Sequence, residues 1–71
     1  MKMEEIAKLE AEVERLTLLT GPTLMHSEWP MCNGVSVLHP STGLRKSSTR
    51  KSTPLENHVI ALRELAKSLC N

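Results

Sequence analysis

The sequence predicts an all-α protein in which two amphipathic helices assemble with those of other copies as an oligomeric helical bundle or coiled coil. Apolar residues recur at spacings of three and four near both ends of the chain. The chain has only 71 residues and contains no Phe or Tyr, so a monomer has little apolar surface from which to build a core. We therefore expect a single small domain, residues 1–71, whose core is completed by partners.

The N-terminal periodic segment predicts a helix over residues 3–20. Its apolar seam is Ile6, Leu9, Val13 and Leu16, with β-branched residues at the a positions and leucines at the d positions of a heptad. That choice favours two-stranded assemblies. Gly21-Pro22 predicts the end of the helix. Because the seam is about two heptads long, the helix is marginal on its own and needs packing to stabilise it.

The C-terminal segment has the clearest helix start in the chain and predicts a helix over residues 54–70. Thr53 suits the N-cap, and Pro54 suits the first helical position. Glu56 follows the cap by three residues, a spacing that predicts a capping box in which its side chain reaches back to the Thr53 N–H. Leu55, Val59, Leu62, Ala66 and Leu69 then form the apolar seam.

Both seams resemble leucine-zipper or coiled-coil segments in general, a resemblance that implies helix association and no particular activity. We therefore predict an oligomerisation or scaffolding function. The partners would be further copies of the chain, as a dimer or higher oligomer, or another coiled-coil protein. The alternative is that the seams pack into the chain's own small core. The predicted interface residues are Ile6, Leu9, Val13, Leu16, Leu55, Val59, Leu62, Leu65 and Leu69.

The connection between the helices, residues 21–52, contains one strong turn signal. Asn33-Gly34 is typical of a two-residue β-hairpin turn, which would pair Cys32 with Val35 and Met31 with Ser36. The alternative for this stretch is an irregular loop. Residues 41–52 are rich in Ser, Thr, Arg and Lys and predict a flexible basic linker.

Basic charge concentrated in this connection suggests a second function, binding to RNA or DNA backbones by a helical oligomer. Clustered Lys and Arg are enough to contact phosphates, whereas Trp29, the sole aromatic, gives little support for base stacking. A small viral or regulatory RNA-binding protein would fit, and a solvated linker is the alternative. Arg50 also precedes Thr53 by three residues, a spacing typical of basophilic kinase sites. The candidate nucleic-acid-binding residues are Arg45, Lys46, Arg50 and Lys51.

Other classes of function have little support in the sequence. His26, Cys32 and His39 match no zinc-finger spacing, and no nucleophile, base and orienting acid are brought together, so we expect no metal, no cofactor and no enzymatic activity. No apolar run is long enough for a membrane helix, and no signal peptide is evident. We therefore expect an intracellular protein, cytoplasmic or nuclear.

Overall fold

The chain folds as two helices and a three-stranded antiparallel sheet in the computed structural model, which describes residues 2–27 and 33–70. The all-α prediction is therefore wrong, and the fold is α/β. The helix bounds coincide with those expected from the sequence. In chain order the elements are α1 (Met3–Thr20), β1 (Leu24–Ser27), β2 (Val35–His39), β3 (Leu44–Ser48) and α2 (Pro54–Cys70).

The central strand is β2, with β1 and β3 on its two sides. Val35 pairs with Ser27 and Ser36 with His26, so a strand further upstream than expected is the partner of β2. The pairing of Val35 with Cys32 and of Ser36 with Met31 is therefore wrong. Residues 28–32, where the predicted partner strand falls, lie outside the described residues.

The supposed flexible linker, residues 41–52, contains β3, and its prediction as unstructured is wrong. A tight connection joins β2 to β3: the amides of Thr42 and Gly43 both donate to the His39 carbonyl, at 3.2 and 2.8 Å. Gly43 has φ of 78°, a left-handed conformation that glycine adopts without a steric penalty. Because β3 is an edge strand with one face toward solvent, its polar composition is compatible with pairing to β2.

The core lies between one face of the sheet and the two helices. Val35 and Val37 alternate along β2 and so point to the same face, where α2 packs across β2 and β3. α2 also contacts α1. The radius of gyration, 11.7 Å, is close to the roughly 11 Å expected for a compact chain of this length. The buried apolar residues are Leu16, Val35, Val37, Val59, Ala61, Leu62 and Leu65.

A buried histidine fastens the end of α1 to the sheet. His39 shares the helix-facing side of β2 with the two valines, and its Nε2 lies 2.7 Å from the Thr20 carbonyl. Since a carbonyl only accepts, Nε2 carries the proton and donates it. The other ring nitrogen, Nδ1, lies 2.8 Å from the Thr42 hydroxyl. The same imidazole therefore links the last turn of α1 to the β2–β3 connection.

An exposed ion pair adds a polar contact between the helices. Glu12 accepts a hydrogen bond from Arg15 on its own helix, and the Arg63 Nε of α2 lies 3.9 Å from the same carboxylate oxygen. The Arg15 hydrogen bond, helped by the charges of both arginines, lowers the pKa of the Glu12 carboxyl. Because these groups are at the surface, water and salt screen the interaction strongly.

Neither helix of the described part combines the length and the apolar character needed to cross a membrane.

Candidate nucleic-acid interface

The predicted oligomer seams meet each other inside one chain. Leu16 of α1 and three of the predicted interface residues of α2 are buried in a common core, and Leu9, Val13 and Leu69 pack against it. Ile6 and Leu55 are half-buried. Packing of the seams within one chain is the alternative that the sequence left open. A role for these residues in contacts between chains stays a prediction. The three predicted interface residues of α2 that are buried are Val59, Leu62 and Leu65.

The four candidate nucleic-acid-binding residues lie along one edge of the domain, but they do not form two equivalent pairs. Arg45 and Lys46 are consecutive in β3 and so point to opposite faces of the sheet. Arg45 pairs with Leu38 and faces outward, whereas Lys46 pairs with Val37 on the helix side and is half-buried. Arg50 and Lys51 are exposed in the turn between β3 and α2. We call these four residues the basic edge.

Asn57, in the first turns of α2, holds the turn that carries Arg50 and Lys51. It is fully buried. Its Oδ1 accepts from the Ser48 hydroxyl at 2.9 Å and from the Lys51 amide at 3.0 Å. Its Nδ2 donates to the Lys51 carbonyl at 3.1 Å and to the Asn33 carbonyl at 2.6 Å. All the hydrogen-bonding capacity of one amide side chain is therefore used to join β3, the turn and the residue two positions before β2.

Further hydrogen bonds fix the backbone on both sides of Lys51. The Arg50 amide donates to the Ser48 hydroxyl at 3.4 Å, and the Asn33 side-chain amide donates to the Ser52 carbonyl. Ser48 itself is buried. The turn is thus ordered by hydrogen bonds to Ser48, Asn57 and Asn33, and its two basic side chains, Arg50 and Lys51, are exposed.

The turn leads directly into the capped N-terminus of α2. The Thr53 hydroxyl accepts from the Glu56 amide at 3.3 Å and donates to the Glu56 carboxylate at 2.8 Å. The N-cap is therefore as expected, but the Glu56 side chain contacts the Thr53 hydroxyl instead of its backbone N–H. The N-terminal end of the α2 dipole carries partial positive charge, and it lies next to Arg50 and Lys51 in the chain.

Charge is unevenly distributed over the molecule. Residues 33–55 include all four cations of the basic edge and no Asp or Glu, whereas α1 carries Glu4, Glu5, Glu10, Glu12 and Glu14. Within residues 2–27 and 33–70, the ion pairs involve Glu12 with Arg15 and Arg63, and no basic-edge residue takes part in one. These cations are therefore available to an external anion.

The histidines and the cysteine in the described part of the chain give no sign of a metal centre. His26 pairs with Ser36 and lies on the outer face of the sheet, whereas His39 is buried on the helix side, so the two cannot share an ion. Cys32 lies outside the described residues. Among the residues that are described, no group of three potential metal ligands occurs together.

Sequence reasoning missed Asn57 as part of the site, although a signal for it exists. Asn57, Ala61 and Leu65 recur every four residues, and all three are buried. This second row lies beside the apolar seam and widens the buried face of α2. A polar residue within a row that is otherwise apolar indicates a buried hydrogen-bonding role.

Comparison with known proteins finds no match: no family model, no curated protein and no solved structure is similar to this chain. Function must therefore be inferred from the charge and geometry of the chain itself.

Proposed function

We propose that this protein binds the phosphate backbone of duplex nucleic acid through its basic edge. The supporting observation is that four cations without a carboxylate partner among the described residues lie along one edge of the fold, two of them on a turn held by Asn57. Ordering the turn in advance reduces the entropy lost on binding. An acidic α1 would disfavour approach in other orientations, because like charges repel.

The chemistry of the edge favours backbone over base recognition. Lys and Arg contact phosphates without reading sequence, and Trp29, the one aromatic residue of the chain, lies outside the described residues. Stacking platforms for single strands use several aromatic side chains, which this chain lacks. The proposed ligand is therefore a duplex of arbitrary sequence, and the proposed setting is intracellular.

The number of cations limits the strength of binding. One chain that engages Arg45, Lys46, Arg50 and Lys51 neutralises at most four phosphates, so log affinity should fall with log salt at a slope no steeper than about −4 on B-form DNA. Non-specific complexes of this kind have dissociation constants of about 10⁻⁴ to 10⁻⁶ M at physiological salt. We expect micromolar binding that strengthens steeply as salt is lowered.

The test is fluorescence anisotropy with labelled RNA and DNA duplexes of unrelated sequence, titrated across about 50 to 200 mM salt. Replacing all four basic-edge residues with Gln should abolish the salt-dependent part of the duplex-binding free energy. The matched control replaces four cations elsewhere, Lys2, Lys8, Arg63 and Lys67, with Gln. Both variants have the same net charge, so a loss of duplex affinity in the first variant alone would identify the basic edge as the binding surface.

Two results would contradict the proposal. The first is no binding of either duplex by the unmodified protein at micromolar concentration and low salt. The second is an equal loss in the two variants, because binding would then follow net charge and not the basic edge. Circular dichroism of each variant should match the unmodified protein, since the substituted side chains lie outside the core.

Self-association is the second candidate, and a different surface now supports it. With the helix seams packed in the core, four of the five large apolar side chains left exposed among the described residues lie at the end of α1 and on the edge strand β1: Leu18, 82% exposed, Leu19, Leu24 and Met25; the fifth, Met3, is at the start of α1. An exposed apolar group next to the edge of a sheet is typical of an interaction site. Light scattering tests it: a monomer mass at every concentration would exclude self-association, and a dimer dissociated by Leu18→Gln would support it.

A further inference from the structure

The outer face of the sheet, opposite the helices, carries a groove of about 370 Å³ lined by residues from all three strands. The strand register places its residues in two rows across the sheet. One row runs from Leu24 through Leu38 to Arg45, and the next contains His26 beside Ser36. The groove therefore joins apolar and polar groups on a single surface. Its volume is at the small end of the range for small-molecule sites, about 300 to 1,000 Å³.

The floor of the groove contains a buried hydroxyl that can donate to a ligand. Ser36 is in the central strand and is only 4% exposed. A hydroxyl can donate one hydrogen bond, so the Ser36 side chain can bind an acceptor atom placed in the groove.

The polar side chains around this hydroxyl suit an anion. Arg45 lies diagonally across from Ser36 on the same face, a separation of about 7 to 8 Å between main-chain positions that a long side chain can span. His26 is directly opposite Ser36 on the other side. An anion above Ser36 would thus be within reach of a guanidinium, a hydroxyl and an imidazole. Arg45 supplies the single permanent positive charge among the lining residues.

The charge and the walls together select the class of ligand. One guanidinium matches the single charge and planar geometry of a carboxylate, with two parallel hydrogen bonds, and would leave a doubly charged phosphate monoester undercompensated. Leu24 and Leu38, which pair across the strands on this face, provide aliphatic walls without an aromatic ring. We propose that this groove binds an aliphatic monocarboxylate, with the carboxylate on Arg45 and Ser36 and the chain along the leucines. This site does not depend on the basic edge binding nucleic acid, although Arg45 belongs to both.

The experiment uses octanoate as the probe, below its micelle concentration, and follows the amide signals of the ¹⁵N-labelled protein by NMR. Saturable shifts should appear in β1, β2 and β3 at the groove and not at Leu18 and Leu19. Octanol has the same chain length without the charge, and we expect it to bind at least about tenfold more weakly, since a hydrogen bond to a charged group accounts for that difference.

Neighbouring residues on β3 provide a matched pair of variants. Arg45→Gln should weaken octanoate binding at least about tenfold, whereas Lys46→Gln removes the same charge from the opposite face and should change it less than about twofold. Ser36→Ala should weaken binding about threefold or more through loss of the floor donor.

Several outcomes would overturn the proposal: no saturable shifts, equal binding of octanol and octanoate, or equal losses in the Arg45 and Lys46 variants. The comparison of octanoate with octanol uses the unmodified protein and does not depend on any variant folding. Octanoate binding without duplex binding would retain this site and exclude the proposed nucleic-acid function, and the reverse would exclude only this site.

Discussion

The two helices look alike in sequence and occupy different positions in the fold. Each carries one apolar seam with spacings of three and four. In α2 the seam is flanked by the buried row Asn57, Ala61 and Leu65, and the helix contacts both the sheet and α1. In α1 only Leu16 and Thr20 are buried, and the helix packs against α2. The width of the apolar face, and not the heptad spacing, therefore indicates how many neighbours a helix has.

The largest expected difference between the helices is at the centre of the core. Leu62 of α2 is completely buried, so Leu62→Ala should cost about 2 to 5 kcal/mol of unfolding free energy. Leu9 of α1 is only partly buried, and Leu9→Ala should cost less than half as much, because less apolar surface is lost from the core. Urea unfolding measures both. Equal losses would mean that α1 is buried as deeply as α2.

The second effect concerns the polar residue in the buried row of α2. Asn57→Ala should cost about 2 to 4 kcal/mol, because several hydrogen bonds worth about 1 kcal/mol each are lost and buried partners are left unpaired. Asn57→Asp is nearly isosteric but should also destabilise, since its carboxylate would face the carbonyls of Asn33 and Lys51. NMR should show increased mobility of residues 49–53 in both variants. An unchanged turn would contradict its attachment to α2.

A smaller effect separates the two helix starts. Thr53 caps α2, whereas Lys2, at the N-cap of α1, makes no side-chain capping bond. Thr53→Ala should destabilise the protein by about 1 kcal/mol. Lys2→Ser should have a neutral or slightly stabilising effect, because it introduces a capping hydroxyl. Thermal unfolding of the two variants checks this, and a Thr53→Ala variant as stable as the parent would indicate that the cap contributes nothing.

The smallest expected effect is a pH dependence of the free energy of unfolding that arises from His58 of α2. Burial lowers the pKa of His58 below its ordinary value of 6.5, so the unfolded chain binds the proton more readily than the folded one. The contribution of neutral His58 to the free energy of unfolding is fully present above about pH 6.5. It is lost as the pH falls from there through the folded-state pKa of His58. His58→Gln should flatten this part of the stability profile. The Arg15 hydrogen bond lowers the pKa of the Glu12 carboxyl, which moves its titration further away from that of His58.

Local sequence signals predicted the helices and failed for the sheet. The cap at Thr53 and the glycine at position 21 mark helix ends through local chemistry, which a sequence displays directly. Asn33-Gly34 was a misleading signal, because the partner of β2 is β1, several residues further upstream. β3 was missed because an edge strand needs few apolar residues when its backbone is paired to β2 and its last residue, Ser48, is bonded to Asn57.

The candidate site was predictable in composition and not in arrangement. The sequence identified Arg45, Lys46, Arg50 and Lys51 as a basic cluster. A flexible linker would make them equivalent, but strand alternation separates Arg45 from Lys46, and only tertiary hydrogen bonds reveal that the turn is fixed. The outer groove was also missed, because it depends on cross-strand register, which places His26 beside Ser36 although ten positions separate them in the sequence.

The central claim is that α2 and β2 form the stable centre of a three-stranded α/β domain, with α1 more weakly attached. Native-state amide hydrogen exchange tests it most directly, because it gives an opening free energy for each residue. We expect the slowest exchange in β2 and in α2 around Leu62 and Leu65, measurable protection in the β3 amides that bond to β2, and fast exchange in the first turns of α1. Equal protection of the two helices, with no protection in residues 44–48, would contradict the account and favour a two-helix protein with a flexible linker.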